Sequence, residues 1–170
     1  RIHRKLLIAD RKLVYAGGMN IGDRQLVDGP SPHRASDLHF LLAGPVVTDC
    51  VELFAEDWTF SGGAALQADI PTTSWNGTAE ARLISDGPDE NLDSLLLVIM
   101  GVIARARKRV WIMSPYFLPE PKFQAALCTA ALAGVDIKIM IPQENNWPVV
   151  QWALQHSMGA LLNCGIEIFQ

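Results

Sequence analysis

His3 and Lys5 stand two residues apart at the head of the chain, in the run RIHRKLLIADRKLVYAGGMN from Arg1 to Asn20. Side chains alternate faces along an extended strand, so His3 and Lys5 point one way and Arg4 the other. An imidazole held beside an ammonium suits attack on a phosphodiester. The histidine supplies the nucleophile, and the lysine neutralises charge on the phosphoryl oxygens. Asp10 follows after four spacer residues, and Gly17, Gly18 and Asn20 follow after six more. Gly17 and Gly18 let backbone approach a ligand closely. Asn20 either gives its side-chain amide to the same phosphoryl oxygens or caps a helix starting at Ile21-Gly22. Asp10 is either catalytic or structural: alternation puts it off the His3/Lys5 face, and a carboxylate in a turn is usually structural.

This string resembles the H-x-K-x4-D-x6-G-[GS]-x-N signature of the phospholipase D superfamily, with His3, Lys5, Asp10, Gly17, Gly18 and Asn20 in its fixed positions. The closer resemblance is to bacterial cardiolipin synthases and related phosphatidyltransferases. Four further segments carry it: Asn20–Asp23 (NIGD), Ser36–Val47 (SDLHFLLAGPVV), Leu53–Phe60 (LFAEDWTF) and Ser114–Glu120 (SPYFLPE). The resemblance implies a ping-pong reaction. One motif histidine, here His3, attacks phosphorus to give a phosphohistidine, and a partner histidine protonates the leaving alcohol. It also implies an acidic residue about thirty positions on that orients the nucleophile, and Asp37 is the candidate. An exposed Asp at a strand start is the plainer alternative. His39, on the same strand face as Asp37, either lines the pocket or packs. Tyr116, in a loop after a strand, either lines an acyl or headgroup channel or joins the core beside Phe117 and Pro119.

The net charge is −4, which argues against a general nucleic-acid-coating protein. Yet Arg1, Arg4, Lys5, Arg11, Lys12 and Arg24 face only Asp10 and Asp23 within the first 24 residues. That basic patch fits an anionic substrate, by resemblance phosphatidylglycerol, or is a solvated hairpin tip. Hydrophobic residues make up 49% and charged residues 19% of the chain, so a packed core is expected. No carboxylate or histidine cluster has metal-ligand spacing, which favours Lys in place of a metal and no cofactor. Cys50, Cys128 and Cys164 are odd in number and far apart, and read as buried reduced thiols. The longest purely apolar run, Leu95–Met100, is too short for a bilayer span of roughly 20 residues. Membrane anchors of a bacterial inner-membrane enzyme, facing the cytoplasm or peripheral, would lie elsewhere.

Both ends of the segment fall in strand patterns. The resemblance to two-motif family members implies a second H-x-K beyond it, since His33, His39 and His156 have no Lys two residues on. The isolated segment is therefore expected to be inactive.

The elements that position these residues follow from periodicity and punctuation. Ile2–Ala9 and Leu13–Ala16 read as a hairpin, Asp37–Leu42 as a strand, and a helix starts after Gly44-Pro45. Ser61–Gly77 reads as a linker and Arg82–Ser85 as a short strand. Leu92–Lys108 reads as a helix with Leu95, Leu96, Ile99, Val102 and Ile103 on its core face. Strands at Val110–Met113, Asp136–Ile141 and Ile166–Phe169 alternate with helices at Lys122–Ala133 and Val149–Asn163, which predicts an α/β fold with a mixed, mostly parallel sheet. By resemblance, residues 1–60 are the second half of one phospholipase-D-type domain and 82–170 the first half of the next, joined by 61–81. The two halves are expected to pack as one circularly permuted domain. The leading functional reading is a phosphatidyltransferase that makes cardiolipin from two phosphatidylglycerols. The alternatives are a hydrolase with water as acceptor, or a one-motif nuclease acting as a homodimer.

Overall fold

Antiparallel pairing organises the first part of the chain. The computed structural model describes residues 3–32, 34–66, 75, 77–86, 93–143 and 158–170, and divides the chain into two units, Arg1–Ser85 and Asp86–Gln170. His33, His156 and the expected helix from Val149 as far as residue 157 lie outside the described residues.

In the first unit, strands β1 (Leu6–Ala9) and β2 (Leu13–Gly17) form the expected hairpin. Asp10 and Arg11 turn it with φ of 53° and 54°, and the Lys12 N–H donates to the Ala9 carbonyl at 3.0 Å. Aspartate tolerates this left-handed conformation better than most side chains. Strand β3 (His39–Ala43) pairs antiparallel with β2, and helix α1 (Val46–Phe60) follows Gly44-Pro45. Alternation then sorts the side chains. Leu6, Ile8, Val14, Ala16 and Leu42 pack with Val47, Cys50 and Val51 of α1, and Leu83 joins them. Leu7, Tyr15 and Leu41 point to the opposite, open face. Arg82–Ser85 is not a strand: Leu83 is used as a wedge against this core, and its neighbours pair with no strand.

Burial pushes the Cys50 thiol above its ordinary value of 9.0, with Asp49 adding to the effect. The folded chain therefore holds this proton at pH values where the unfolded chain releases it. Stability is expected to fall as pH rises above 9.0 and the unfolded thiol ionises. Denaturant midpoints at pH 8 and pH 10, compared with those of Cys50→Ala, check this: the extra alkaline loss disappears in the variant.

The second unit starts with α2 (Ser94–Arg105) and continues with β4 (Arg109–Met113), α3 (Pro121–Leu132), β5 (Asp136–Met140), a helix over residues 158–163 and β6 (Glu167–Phe169). The strands form one parallel sheet in the order β4-β5-β6. Ile137, Ile139, Leu127, Leu161 and Ile166 are buried in its core, with Val110, Ile112 and Ile168 packed against them. The β-branched strand residues fit this pleated, covered surface. α2 buries only Ile103 among its described residues, while Leu95, Ile99 and Val102 of the expected core face remain exposed. Leu97 and Val98 are exposed as well, so the helix is apolar on several sides and its periodicity does not mark one core stripe.

The expectation of three reduced thiols is corrected. Cys128 and Cys164 form a disulfide with Cα atoms 5.3 Å apart, and only Cys50 is free. Their separation of 36 residues hides the contact in the sequence. Cys128 on α3 and Cys164 after the last helix both pack against the core of the parallel sheet, which closes that gap.

Candidate active site

Lys5 lies one residue before β1 and its side chain turns back along the chain. Its Nζ donates to the His3 carbonyl at 2.8 Å and sits 2.9 Å from His3 Nδ1 and 3.2 Å from Nε2. An ammonium has only donors, so the ring nitrogen it meets is an acceptor. The ammonium is within reach of both ring nitrogens, of which a neutral imidazole offers one as acceptor. The His3 side chain is exposed and that of Lys5 half-buried, which leaves both open to a substrate.

Arg4 points the other way, toward the helix side of the sheet. Its Nη1 makes an ion pair with Asp57 Oδ1 of α1. Leu6, Phe54, Trp58 and Ser61 line the groove around that pair, and the Phe54 and Trp58 rings stack 6.3 Å apart. Arg4 therefore ties the lead into β1 to α1 and fixes the direction in which His3 and Lys5 project. Sequence reading missed Asp57. The signal was the odd placement of Arg4 between two catalytic candidates, together with the acidic pair in LFAEDWTF.

The two motif glycines serve packing. A Cβ on Gly17 would collide with the Leu38 carbonyl oxygen and lie 2.8 Å from His39 Cα. Both are backbone atoms of the β3 side and cannot move aside cheaply. A Cβ on Gly18 would lie 2.5 Å from Asp37 Oδ1 and 2.6 Å from Oδ2. Gly17→Ala is accordingly expected to cost about 1–3 kcal/mol of stability by overpacking. Gly18→Ala is expected to cost less, because the Asp37 carboxylate can rotate away. Thermal or denaturant unfolding of the two variants checks the order.

Asp37 thus lies over Gly18, and its Oδ1 accepts the Leu38 N–H at 2.7 Å. Among the described residues no hydrogen bond joins Asp37 to His3. Asn20 is exposed, and the nearby 3-10 turn Asp23–Gln25 is capped by Gly22 rather than by Asn20. Asp10 stands at the far end of β1 from Lys5, about 16 Å along an extended chain. The structure brings together His3 with Lys5 and Gly18 with Asp37, and holds Asp10 at the hairpin tip. Tyr116 belongs to the second unit, where it is exposed while its neighbour Phe117 is buried against Phe123. Among the described residues no three His, Cys, Asp or Glu side chains are grouped to hold a metal ion. No helix among them is long and apolar enough to cross a membrane.

Residues 99–170 match the family model described as cardiolipin synthase, PLD-like domain. The whole segment also aligns with curated relatives. It is 32% identical over 177 positions to a cardiolipin synthase of Clostridium perfringens, covering 99% of this chain and 37% of the relative. Residues 99–170 thus resemble the PLD-like domain of cardiolipin synthases, and the chain as a whole is similar to those enzymes. A cardiolipin synthase of Staphylococcus aureus is 32% identical over 99% of this chain and 35% of its own length. Cardiolipin synthase 2 of Bacillus cereus is 31% identical over 100% of this chain and 34% of its own length. The chain therefore spans little more than a third of the length of the curated relatives it matches. The mixed α/β architecture of both units accords with this similarity.

Proposed function

We propose that the full-length protein is a phosphatidyltransferase that makes cardiolipin from two phosphatidylglycerols, and that His3 is its nucleophile. The observation that carries this reading is the Lys5 Nζ at 2.9 Å from the His3 ring. An arriving phosphodiester offers anionic oxygens to Lys5, which leaves the ring nitrogen for them and frees its lone pair. His3 then attacks phosphorus. A P–N bond forms, the bond from phosphorus to the glycerol headgroup oxygen breaks, and a proton from an acid outside these 170 residues goes to that oxygen. In the second half, a headgroup hydroxyl of another phosphatidylglycerol attacks phosphorus, returns its proton to the same acid and releases His3. Lys5 holds the charge that builds on the phosphoryl oxygens in both halves. Asn20 donates its amide to the same oxygens, and Asp37 orients the His3 ring once substrate is in place. Asp10 shapes the hairpin tip. Tyr116 contributes to the lipid channel. Attachment to the inner membrane is provided by parts outside these residues.

The test uses the full-length protein in detergent micelles of phosphatidylglycerol, with glycerol release and cardiolipin formation followed together. Equal amounts of glycerol and cardiolipin are expected. Phosphatidic acid in place of cardiolipin would make the protein a hydrolase. Cleavage of a simple diester without any lipid product would favour a nuclease-like enzyme, in which a second copy of the chain supplies the other histidine.

A further inference from the structure

We propose that His39 is a substrate-contacting residue whose Nε2–H binds a phosphoryl oxygen opposite Lys5, across a slot floored by Gly17; this rests on the reading of His3 and Lys5 as the phosphodiester site. The first support is register. Leu6 pairs with Ala16 and Gly17 pairs with His39. Continuing the β1–β2 pairing by one step sets Lys5, Gly17 and His39 in a single row across the three strands. The second support is the face. Leu6 and Leu42 point into the core against α1, so their neighbours by alternation, Lys5 and Leu41, lie on the open face, and His39 lies there with Leu41. The residue between Lys5 and His39 is a glycine, with no side chain to separate them.

The third support is the His39 ring itself. Its Nδ1 lies 2.7 Å from where a Gly17 Cβ would be, is buried and has no hydrogen-bond partner. A buried N–H without an acceptor is rarer and costlier than a bare lone pair. The proton therefore belongs on Nε2, the edge of the half-buried ring turned away from that wall. Strands are spaced about 4.8 Å apart, which puts the β1 and β3 rows about 10 Å apart at their backbones. The His39 ring lies over Gly17 in the middle of that gap, and Lys5, which at rest turns back to His3, swings toward it to share a phosphoryl group held by a hydrogen bond of about 2.8 Å on each side. No carboxylate of the first unit approaches the slot through a hydrogen bond to His39 among the described residues.

Tungstate, a tetrahedral oxyanion, serves as the probe, titrated calorimetrically into the full-length protein and into His39→Ala, His39→Gln and His39→Asn variants. The amide of Gln reaches the position of Nε2, and that of Asn the position of Nδ1. His39→Ala is expected to weaken tungstate binding roughly tenfold or more, His39→Gln to restore it and His39→Asn not to, as removal of one charge-assisted hydrogen bond implies. The thermal midpoint of His39→Gln stays at the wild-type value. Binding within twofold of wild type in His39→Ala would overturn the assignment. If His39→Ala does not fold, the Gln and Asn pair decides, and equal affinity in both overturns it. His3→Ala separates the two readings. Tungstate binding that persists there and depends on His39, with no phosphatidyl transfer by the wild type, would keep the slot and sink the proposed reaction. Cardiolipin synthesis with tungstate affinity indifferent to His39 would do the reverse.

Discussion

His3→Ala in the full-length protein is expected to lose phosphatidyl transfer by on the order of 10³-fold or more, because the covalent route ends with its nucleophile. The substitution removes an exposed side chain that packs against no core residue, so the fold should keep its stability. Lys5 loses its contacts to the ring but retains the His3 carbonyl as an acceptor. The loss should therefore appear in kcat, and the phosphatidylglycerol KM should move little. Initial rates of glycerol release, read beside unfolding midpoints, separate a chemical defect from a folding one. A variant with native stability that keeps a tenth of the activity would remove His3 from the proposed role.

Lys5→Met is expected to lower kcat by roughly 10²–10³, the usual cost of removing one donor aimed at developing charge. The lysine has two duties that the geometry connects. At rest its ammonium lies against the His3 ring. In the proposed reaction it turns to the phosphoryl oxygens when substrate binds, which releases the ring. Methionine keeps the half-buried aliphatic stem and removes the charge, so packing next to β1 is preserved. Lys5→Arg should recover only part of the rate, since a planar guanidinium cannot place one compact charge at the same point. Rates for Met and Arg variants, compared under one lipid composition, check both statements. Equal activity in all three proteins would show that the charge is not used.

The His3/Lys5 pair was legible in the sequence because two residues of separation keep side chains close on an extended lead-in, although β1 begins only at Leu6 and not at Ile2. The hairpin, the three-strand parallel sheet and the helix after Gly44-Pro45 were legible for the same reason. Turn residues and apolar periodicity act over a few positions. What the sequence hid depends on long-range closure. Arg4 and Asp57 are 53 residues apart, and no local pattern links them. Cys128 and Cys164 meet only because the parallel sheet packs the segments that carry them onto one core. The sequence could assign the motif glycines a backbone role but not their neighbours, the β3 backbone at Gly17 and the Asp37 carboxylate at Gly18. In the sequence His39 either lines the pocket or packs. Its place opposite Lys5 emerges from the strand register.

The most direct test of the central proposal is to look for phosphatidylated histidine. Full-length protein is mixed with phosphatidylglycerol, quenched within milliseconds to seconds under alkaline conditions that preserve P–N bonds, digested and analysed by mass spectrometry. A phosphatidyl adduct on the peptide that carries His3, lost in His3→Ala and lost again when acid cleaves the P–N bond, is the expected result. An active enzyme with no adduct at His3 at any time, or with the adduct on another residue, would contradict the role given to His3.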